Sequence, residues 1–398
     1  MPIEPLGVTA YTLTNALGLG REATRAALLD GRSGLRPCEL PHIQLDTWVG
    51  TVAGLDAVRL PPDLAHFDCR NNRLAELALV QDDFDTAVAA ARRRYGADRV
   101  GLFLGTSTSG LAHTEDAYRR MRLAGAERLE PDLRFDHTQS NRSLAAFCRA
   151  RLGLAGPAQV VSTACSSSAK VFATAQRHLA AGLCDAALVG GVDTLCATTL
   201  YGFASLELLA PTPCRPWGRD RCGLSLAEGA GFALLERADQ APGRPALLGY
   251  GESSDAHHIS SPHPDGAGAR LAMQSALRAA GLDAAAIDYL NLHATATPAN
   301  DRAEDRAVAH CLTGRTTVSA TKGWTGHTLG ASGITEAVIC LLALEHGFLP
   351  GTLNRGEADC ELMTAVLETS IPATPRVAMS NAFGFGGTNC SLIFGYVG

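Results

Sequence analysis

The sequence predicts an α/β protein assembled from two large parts. Its 398 residues exceed what a single compact core usually holds, which favours two domains or one large two-part domain. With 46% hydrophobic residues, 19% charged residues and 41 glycines, the composition is typical of a glycine-rich α/β enzyme. Apolar runs with strand character alternate with segments of helical spacing, and this order favours right-handed βαβ crossovers.

Charge, targeting signals and cysteine usage exclude several classes of protein. The net charge of -6 gives no support for nucleic-acid binding, which needs a basic face. Residues 1–13 lack the features of a signal peptide, and no run of about 18 apolar residues is evident, so we expect no membrane span. The 12 cysteines are scattered without C-x-x-C spacing, which favours free thiols over structural zinc or disulfides. We therefore expect a soluble cytoplasmic protein.

The N-terminal part carries structural elements and one candidate ligand loop. The pattern predicts a helix over 20–29, a longer helix over 72–94 and a buried strand over 99–105. This strand leads into Thr106-Ser-Thr-Ser-Gly110, a small polar loop at a strand's carboxyl end, where open α/β sheets bind ligands. An ordinary strand-to-helix turn explains the same residues equally well.

Residues 160–170 carry the clearest chemistry of the chain. A buried strand (Val160, Val161) is followed by a turn and a helix that we expect to begin near Cys165. A thiol at a helix start experiences the positive end of the macrodipole and unpaired backbone N–H groups, both of which favour the thiolate. Cys165 is therefore a candidate nucleophile, and the small residues at 166–169 leave room for a substrate. A buried structural cysteine is an equally good interpretation of this stretch alone.

The second part of the chain repeats the alternation of strands and helices. Strands are predicted over 185–191, 229–235 and 246–251, and polar and glycine residues crowd together at 251–266. We divide the chain there into an N-terminal half (1–250) with the candidate nucleophile and a C-terminal half (251–398) with two histidine loops. The later elements are helices over 267–280, 302–311 and 329–346, strands over 287–292 and 317–320, and closing strands near Val377 and over 390–396. A faint likeness between 160–163 and 317–321 suggests an internal duplication.

Two loops that follow predicted strands carry histidines. One holds His293 with Thr295 and Thr297 beside it, and the other presents Lys322 and His327. A lone histidine is more often a structural or surface residue, and neither loop has the His-Glu-x-x-His spacing of a zinc helix. The candidate cysteine and both histidines nevertheless follow strand ends, so we expect them at the same edge of a doubly wound sheet.

A glycine-rich loop over 380–389 lies between two predicted strands. Its glycines let the backbone approach a reacting centre closely, while the rings of Phe383 and Phe385 line the approach. A backbone N–H from this loop and the N–H of Cys165 could form an oxyanion hole. An ordinary turn is the competing interpretation, and the spacing is not that of a phosphate-binding loop.

Four motifs together resemble one family. Thr163-Ala-Cys-Ser-Ser-Ser, His293-Ala-Thr-Ala-Thr-Pro, Thr321-Lys-Gly-Trp-Thr-Gly-His and Asn381-Ala-Phe-Gly-Phe-Gly-Gly-Thr-Asn resemble, in order and spacing, the β-ketoacyl-acyl-carrier-protein synthases. These are the condensing enzymes of fatty-acid and polyketide synthesis. The resemblance spans nearly the whole chain. It implies a dimer with a thiolase-like fold, in which two pseudo-equivalent βαβαβαββ halves stack as five α-β-α-β-α layers.

The resemblance also implies roles for individual residues. The nucleophile falls on Cys165, and the two active-site histidines fall on His293 and His327. The other implied residues are Lys322 and Glu336, which would fix the orientation and tautomer of His327; Phe385, a gating ring with an oxyanion N–H; Thr295 and Thr297 at the pantetheine arm; Phe383 beside the approach; and Thr108 at the acyl pocket. No metal is implied.

The implied reaction is a decarboxylative Claisen condensation. Malonyl-acyl-carrier-protein would extend an acyl chain held on Cys165 by two carbons, with no cofactor beyond the phosphopantetheine that carries the substrates. The implied partners are acyl carrier protein and a second ketosynthase-like subunit, in a homodimer or a heterodimer. The loop at 106–110 and the run at 166–170 resemble accessory synthases of aryl-polyene-type pathways.

Two alternative functions and several departures from the family pattern remain. A non-catalytic partner resembling a chain-length factor would keep the fold, although such partners typically lack the nucleophile. A thiolase-type transferase or hydrolase would need a second cysteine near the carboxyl terminus, for which Cys390 could be mistaken. Departures that bear on substrate choice are Ala294 and Ala296 in the usual His-Gly-Thr-Gly motif, Asn300 where glycine is common, and Cys222 in place of an aspartate.

Overall fold

The computed structural model of the protein describes residues 2–129, 133–312 and 314–397. Helices and strands alternate along it. The elements before residue 245 are β1 (Leu6–Asn15), β2 (Gly18–Leu19), α1 (Gly20–Asp30), β3 (Leu35–Pro37), β4 (Trp48–Gly50), α2 (Arg70–Leu79), α3 (Phe84–Tyr95), β5 (Val100–Gly105), α4 (Leu111–Leu123), α5 (Arg142–Leu152), β6 (Ala158–Val161), α6 (Ser167–Ala180), β7 (Ala186–Asp193), α7 (Ala197–Ser205), β8 (Leu226–Ala227) and β9 (Gly229–Arg237). The later elements are β10 (Pro245–Ser254), α8 (Ala267–Ala280), β11 (Tyr289–Asn291), α9 (Pro298–Cys311), β12 (Thr317–Ser319), α10 (Lys322–Thr325), α11 (Ser332–His346), β13 (Phe348–Leu349), β14 (Ile371–Pro372), β15 (Val377–Gly384) and β16 (Thr388–Tyr396).

The principal strands form one long sheet whose order repeats itself. The order is β12-β11-β15-β16-β10-β1-β9-β7-β5-β6, and β2 lies off this path against β1. Each half contributes five strands to this order: β1, β5, β6, β7 and β9 in one half, and β10, β11, β12, β15 and β16 in the other. From the centre of the sheet outward, both halves place the first of their five strands, then the fifth, the fourth, the second and the third. In both halves the inner pairs are antiparallel and the outer pairs are parallel. β1 and β10 join the halves only at Leu6–Gly7 and Ala246–Leu247. The expected pair of pseudo-equivalent halves is therefore confirmed.

Two helices fill the space between the halves of the sheet, and other helices cover its outer faces. α6 and α11 share the central apolar cluster with β1, β7, β15 and β16. α2, α3 and α5 pack against β5, β7 and β9 on one outer side. α8 and α9 pack against β11, β15 and β16 on the other. The layers are therefore helix, sheet, helix, sheet, helix, which is the thiolase-like arrangement that the sequence led us to expect.

The segment Leu329–His346 corrects one expectation about the sequence. It is long and apolar enough to cross a membrane by length and composition, although no such run was expected. In the fold it comprises α11 and the short turn before it, and 89% of it is buried inside the protein. The central helix of a five-layered fold meets this test because it is surrounded by apolar partners on all sides.

The two central helices begin against each other, and small residues make this approach possible. A Cβ added at Gly333 would lie 2.5 Å from the backbone nitrogen of Ala169, closer than real Cβ atoms come to any neighbour. The hydroxyl of Ser168 accepts a hydrogen bond from the N–H of Ile334 at 2.9 Å. This bond satisfies one of the backbone N–H groups that the first turn of α11 leaves unpaired. The close crossing places the residues that precede α6 beside those that precede α11.

Several predicted boundaries differ from the structure. The predicted helix over 72–94 is two helices, α2 and α3, because the chain turns at Asp82 and Asp83, which both have φ of 56°. The carboxylate of Asp82 accepts hydrogen bonds from the Thr12 hydroxyl at 2.8 Å and from the Arg21 N–H at 3.0 Å. Helical spacing does not encode these tertiary bonds.

α9 begins at Pro298 rather than at residue 302, because proline suits the first turn of a helix. The division between residues 250 and 251 falls within β10 and stays a prediction.

We predict that Gly333→Ala lowers the free energy of unfolding by about 2 kcal/mol, because the added methyl group would meet backbone atoms that cannot move aside. Gly202→Ala is the matched control, since nothing lies within 4 Å of its added Cβ. This change in α7 is expected to stabilise the protein by about 0.5 kcal/mol. Urea unfolding at a fixed protein concentration measures both variants. Equal midpoints for Gly333→Ala and the unaltered protein would contradict the close crossing.

Candidate active site

Cys165 lies in a tight turn between β6 and α6. The preceding residue, Ala164, has φ of 50°, in the left-handed region that L-residues seldom adopt. The hydroxyls of Ser166 and Ser167 bond to the carbonyls of Thr163 and Ala164, at 2.9 and 2.5 Å. Both serines are fully buried, so they fix the shape of the turn. Residues 166–169 are not among those that line the cavity at Cys165, and the expectation that they leave room for a substrate stays a prediction.

The structure brings the cysteine and both histidines together. The Nε2 atom of His327 lies 2.9 Å from the Sγ atom of Cys165. The ring centroids of His293 and His327 are 5.5 Å apart, and the rings are nearly perpendicular at 85°. The ligand atoms of all three residues lie within 4.8 Å of one another, and all three side chains are buried. One sulfur and two imidazole nitrogens could serve either as the ligands of a zinc site or as a nucleophilic centre. The hydrogen bonds of the histidines distinguish these two interpretations.

Lys322 determines the hydrogen-bonding state of one histidine. Its ammonium group lies 3.3 Å from Nδ1 of His293, donates to the main-chain oxygen of His293 at 2.5 Å, and contacts the carboxylate of Glu336. An ammonium group can only donate, so Nδ1 of His293 accepts and its proton is on Nε2. A protonated Nε2 is a hydrogen-bond donor rather than a metal ligand.

The partner of Lys322 corrects the expected arrangement. The sequence led us to expect that Lys322 and Glu336 orient His327, but Lys322 contacts His293, and Glu336 contacts Lys322 and Ser332. Nδ1 of His327 has no hydrogen-bond partner within the described residues. The main chain holds His327 instead: its N–H donates to the Ser225 carbonyl at 2.8 Å, and its carbonyl accepts from the Ala227 N–H at 2.9 Å.

Burial keeps both imidazoles neutral. It lowers the pKa of His293 and of His327 well below the ordinary value, and the positive charge of Lys322 lowers both further. Burial also raises the pKa of Glu336 to about 7, although Lys322 opposes this shift. The site therefore contains two neutral rings beside a lysine–carboxylate pair.

The side chain of Cys165 is a thiol rather than the thiolate that the sequence led us to expect. Burial raises its pKa to about 12, against the lowering effects of the Lys322 charge and of a hydrogen bond from the Phe385 backbone. α6 begins only at Ser167, so Cys165 precedes the helix, and desolvation outweighs the helix dipole. The resting group is a thiol whose proton can pass to the adjacent Nε2 of His327.

The glycine-rich loop lies directly over the cysteine turn. The backbone of Phe385 bonds to the Cys165 sulfur. The hydroxyl of Thr388 donates to the Thr163 carbonyl at 3.0 Å and lies 2.9 Å from the hydroxyl of Ser166. A Cβ at Gly384 would come within 2.8 Å of the same carbonyl, so only glycine fits there. These contacts place a backbone N–H where charge would develop on a group bound to Cys165.

A narrow cavity of about 100 Å³ leads to the three central residues. Thr295 and Thr297 line it with their hydroxyls 2.9 Å apart, and the ring of Phe383 lies 5.9 Å from that of His293. The ring of Phe385 stacks on Phe203 at 5.4 Å. Further residues that line the cavity are Leu208, Leu224, Asp255, Ser260, Ser261, Pro262, Asn300 and Asn389.

Thr108 is not among the residues that line this cavity. Its hydroxyl donates to the carboxylate of Asp193 at 2.8 Å and accepts from the Thr194 N–H at 3.2 Å. The Thr108 hydroxyl is therefore already paired within the protein, both as a donor and as an acceptor. The suggested contact of Thr108 with an acyl chain thus finds no support in this geometry.

Sequence reasoning missed the carboxylates that hold the His293 loop. Glu304 accepts hydrogen bonds from the backbone N–H groups of His293 at 2.8 Å and Ala294 at 2.7 Å, and from Asn381 at 3.1 Å. Asp301 accepts from the N–H of Ala296 at 3.2 Å. Asp301 and Glu304 are both buried, one helical turn apart on α9. Two carboxylates on one face of a helix that follows a histidine loop were the available signal.

Comparisons with known proteins agree with this geometry. A family model described as the N-terminal domain of β-ketoacyl synthase matches residues 4–241, and the C-terminal domain model matches residues 246–355. The chain belongs to the β-ketoacyl synthase family. The 3-oxoacyl-[acyl-carrier-protein] synthase 2 of Vibrio cholerae is 32% identical over 97% of this chain and 98% of its own length. The mitochondrial enzyme of Arabidopsis thaliana is 32% identical over 97% of this chain and 92% of its own length.

Solved structures give the same result. A ketosynthase (ApeO) in complex with its chain length factor (ApeC), from Xenorhabdus doucetiae, matches with a TM-score of 0.90 and 38% identity, over 99% of this chain and 98% of that one. The ishigamide ketosynthase/chain length factor matches with a TM-score of 0.89 and 27% identity over the full length of both chains. As a member of the β-ketoacyl synthase family, the protein is a condensing acyltransferase.

We predict that alkylation of Cys165 by iodoacetamide accelerates about tenfold for each pH unit between pH 7 and 9, because only the thiolate reacts and its pKa lies above this range. Mass spectrometry of the peptide that contains Cys165 follows the reaction and separates it from the exposed thiols of Cys222 and Cys360. A rate that is already constant below pH 8 would show a preformed thiolate and contradict the buried thiol.

Proposed function

We propose that the protein joins an acyl chain held on Cys165 to malonyl-acyl-carrier-protein with loss of CO₂, as a β-ketoacyl-acyl-carrier-protein synthase. The observation that carries this proposal is the arrangement of one thiol and two neutral imidazoles at the end of a single cavity. One imidazole contacts the thiol, and the other has its Nε2–H free for a substrate. Decarboxylating condensation needs a nucleophile and two hydrogen-bond donors, which these three groups supply.

In the first step, Cys165 takes an acyl chain from its carrier. The thiol proton passes to Nε2 of His327, and the sulfur attacks the carbonyl carbon of the acyl thioester. The backbone N–H groups of Cys165 and Phe385 stabilise the tetrahedral oxyanion. The bond from carbon to the carrier sulfur then breaks, and the carrier thiol leaves with the proton from His327.

In the second step, a malonyl thioester loses CO₂ beside the acylated cysteine. The bond between the carboxylate and the α-carbon breaks, and its electron pair forms an enolate. Nε2–H of His293, set by the contact of Nδ1 with Lys322, donates to the enolate oxygen. His327 donates to the same oxygen once its single ring proton, left on Nδ1 after the first step, has moved to Nε2. Neutral donors suit this role because burial lowers both pKa values well below neutrality.

In the last step, the enolate carbon attacks the carbonyl carbon of the acyl-Cys165 thioester. The carbon–sulfur bond breaks, the Cys165 thiolate takes up one proton from solvent water, and a 3-oxoacyl chain longer by two carbons leaves on its carrier. Loss of CO₂ supplies the driving force. We therefore propose no metal or nucleotide cofactor, and no group beyond the phosphopantetheine that carries both substrates past Thr295 and Thr297.

Acyl carrier protein and a second ketosynthase-like subunit are the proposed partners. The relatives are named for the acyl carrier protein, and one structural neighbour at 38% identity is a ketosynthase bound to a chain length factor. β6 lies at one end of the sheet, with Val160 and Val161 only half-buried. An apolar edge strand needs cover, which supports pairing with a like or a related subunit. A polyketide or aryl-polyene pathway is our proposal from the resemblance of the loop at 106–110 and the run at 166–170 to accessory synthases.

The alternative functions have less support. A chain-length-factor-like role does not require a nucleophile, yet Cys165 keeps its contact with His327. A thiolase-type base at Cys390 would have to reach the cavity, but this residue is fully buried in β16 within the central apolar cluster. The proposed location remains the cytoplasm, where the twelve free thiols of the structure would stay reduced.

We predict that Cys165→Ala abolishes acyl transfer from an acyl carrier protein, because Cys165 is the one thiol among the described residues that line the cavity. Decarboxylation of malonyl-acyl-carrier-protein should remain measurable, since both imidazoles are retained. Mass spectrometry detects the acyl-enzyme, and release of ¹⁴CO₂ reports decarboxylation.

Cys390→Ala serves as the control for this test, because it removes a buried thiol outside the cavity. Both activities should persist in it. A covalent acyl-enzyme in Cys165→Ala, or loss of condensation only in Cys390→Ala, would overturn the assignment of the nucleophile.

A further inference from the structure

The carboxylate of Asp193, at the end of β7, joins two loops of the site without lining its cavity. One oxygen accepts hydrogen bonds from the Thr106 hydroxyl at 2.7 Å, the Ser107 N–H at 2.8 Å, and the N–H and hydroxyl of Thr108, both at 2.8 Å. The other accepts from the Gly330 N–H at 2.6 Å and from the Ser107 N–H at 3.0 Å. Asp193 is completely buried, so bulk solvent does not reach these bonds.

The bond to Gly330 holds the turn that follows His327. Leu329, between them, has φ of 52°, a left-handed conformation that a leucine does not adopt without support from its surroundings. A Cβ added at Gly330 would lie 2.7 Å from the Asp193 carboxylate and 2.7 Å from the Ser107 hydroxyl. The carboxylate therefore packs directly on the main chain of this turn.

Apart from this turn, few contacts among the described residues hold the side chain of His327. Its own N–H and carbonyl bond to Ser225 and Ala227, and these bonds fix the backbone at His327 itself. Its ring contacts the sulfur of Cys165 through Nε2, whereas Nδ1 has no partner within the described residues. The direction of the ring thus depends on the path that the chain takes after His327.

We propose that Asp193 is a positioning residue, which keeps the His327 imidazole against Cys165 by fixing the Leu329–Gly330 turn. This inference rests on the proposed function, since it assigns His327 to the reaction. Asparagine cannot replace the aspartate, because its amide group has one acceptor oxygen and would turn an N–H donor toward one of the two loops.

The test compares Asp193→Asn with Asp305→Asn. Asp305 is the matched control because its buried carboxylate also accepts two backbone N–H groups, those of Met363 and Thr364, at 2.9 and 2.8 Å. Condensation is measured with acyl- and malonyl-acyl-carrier-protein, and rates are divided by the fraction of Cys165 that forms an acyl-enzyme. We expect kcat per active site to fall about 10- to 100-fold in Asp193→Asn, with KM changed less than about twofold. Asp305→Asn should retain the kcat of the unaltered protein.

A purely structural role would reduce the active fraction and leave kcat per active site unchanged, and this result would overturn the proposal. If Asp193→Asn does not fold, Gly330→Ala tests the proposal instead. This variant displaces the Leu329–Gly330 turn and leaves the Asp193 carboxylate with its other hydrogen-bond donors. The same loss of kcat in Gly330→Ala supports the inference, and an unchanged kcat overturns it. An unaltered protein that forms no acyl-enzyme refutes the proposed function itself, whereas an active protein with unaffected variants refutes only the role of Asp193.

Discussion

The close crossing of α6 and α11 is the constraint on which the site depends. Both helices begin at the same place between the two halves of the sheet, where Gly333 contacts the backbone at Ala169. The residues before α6 include Cys165, and those before α11 include His327. A sulfur and an imidazole that are far apart in the sequence are therefore 2.9 Å apart in space. The duplicated strand order explains this meeting, because equivalent turns of the two halves face each other across the centre.

Burial, more than any local dipole, determines the charges at this centre. It keeps the Cys165 thiol protonated and both imidazoles neutral, while Lys322 is paired with Glu336. A neutral imidazole beside a thiol can take up one proton and return it in each cycle. A preformed imidazolium could not act as a base in this way. The low dielectric that suppresses the resting thiolate also strengthens the hydrogen bonds offered to an enolate.

The sequence predicted the fold class, most element positions and the residues that gather in the cavity, because local periodicity and short motifs encode them. It failed where a tertiary contact decided the outcome. The break after Leu79 depends on Asp82 bonding to distant residues, and the partner of Lys322 depends on which histidine loop lies nearer. The thiolate expected at Cys165 followed from a helix start that the folded chain places beyond that residue. Asp193 and Glu304 lie outside the quoted motifs and act through backbone N–H groups, which side-chain patterns do not reveal.

Two buried carboxylates of α9 stabilise the alanines that stand in place of glycine in the His293 loop. Ala294 and Ala296 have φ of 35° and 64°, a region that costs an L-residue about 1–2 kcal/mol. Glu304 accepts the N–H of Ala294, and Asp301 accepts that of Ala296, so each strained residue is bonded to a buried carboxylate. A hydrogen bond contributes about 0.5–1.5 kcal/mol, and one to an ionised group about 1.5–3 kcal/mol, which is comparable with this strain. The chain can therefore carry methyl groups beside the two threonines of the cavity without losing the position of His293. The geometry of this loop is therefore set by the two carboxylates of α9 rather than by the conformational freedom of glycine.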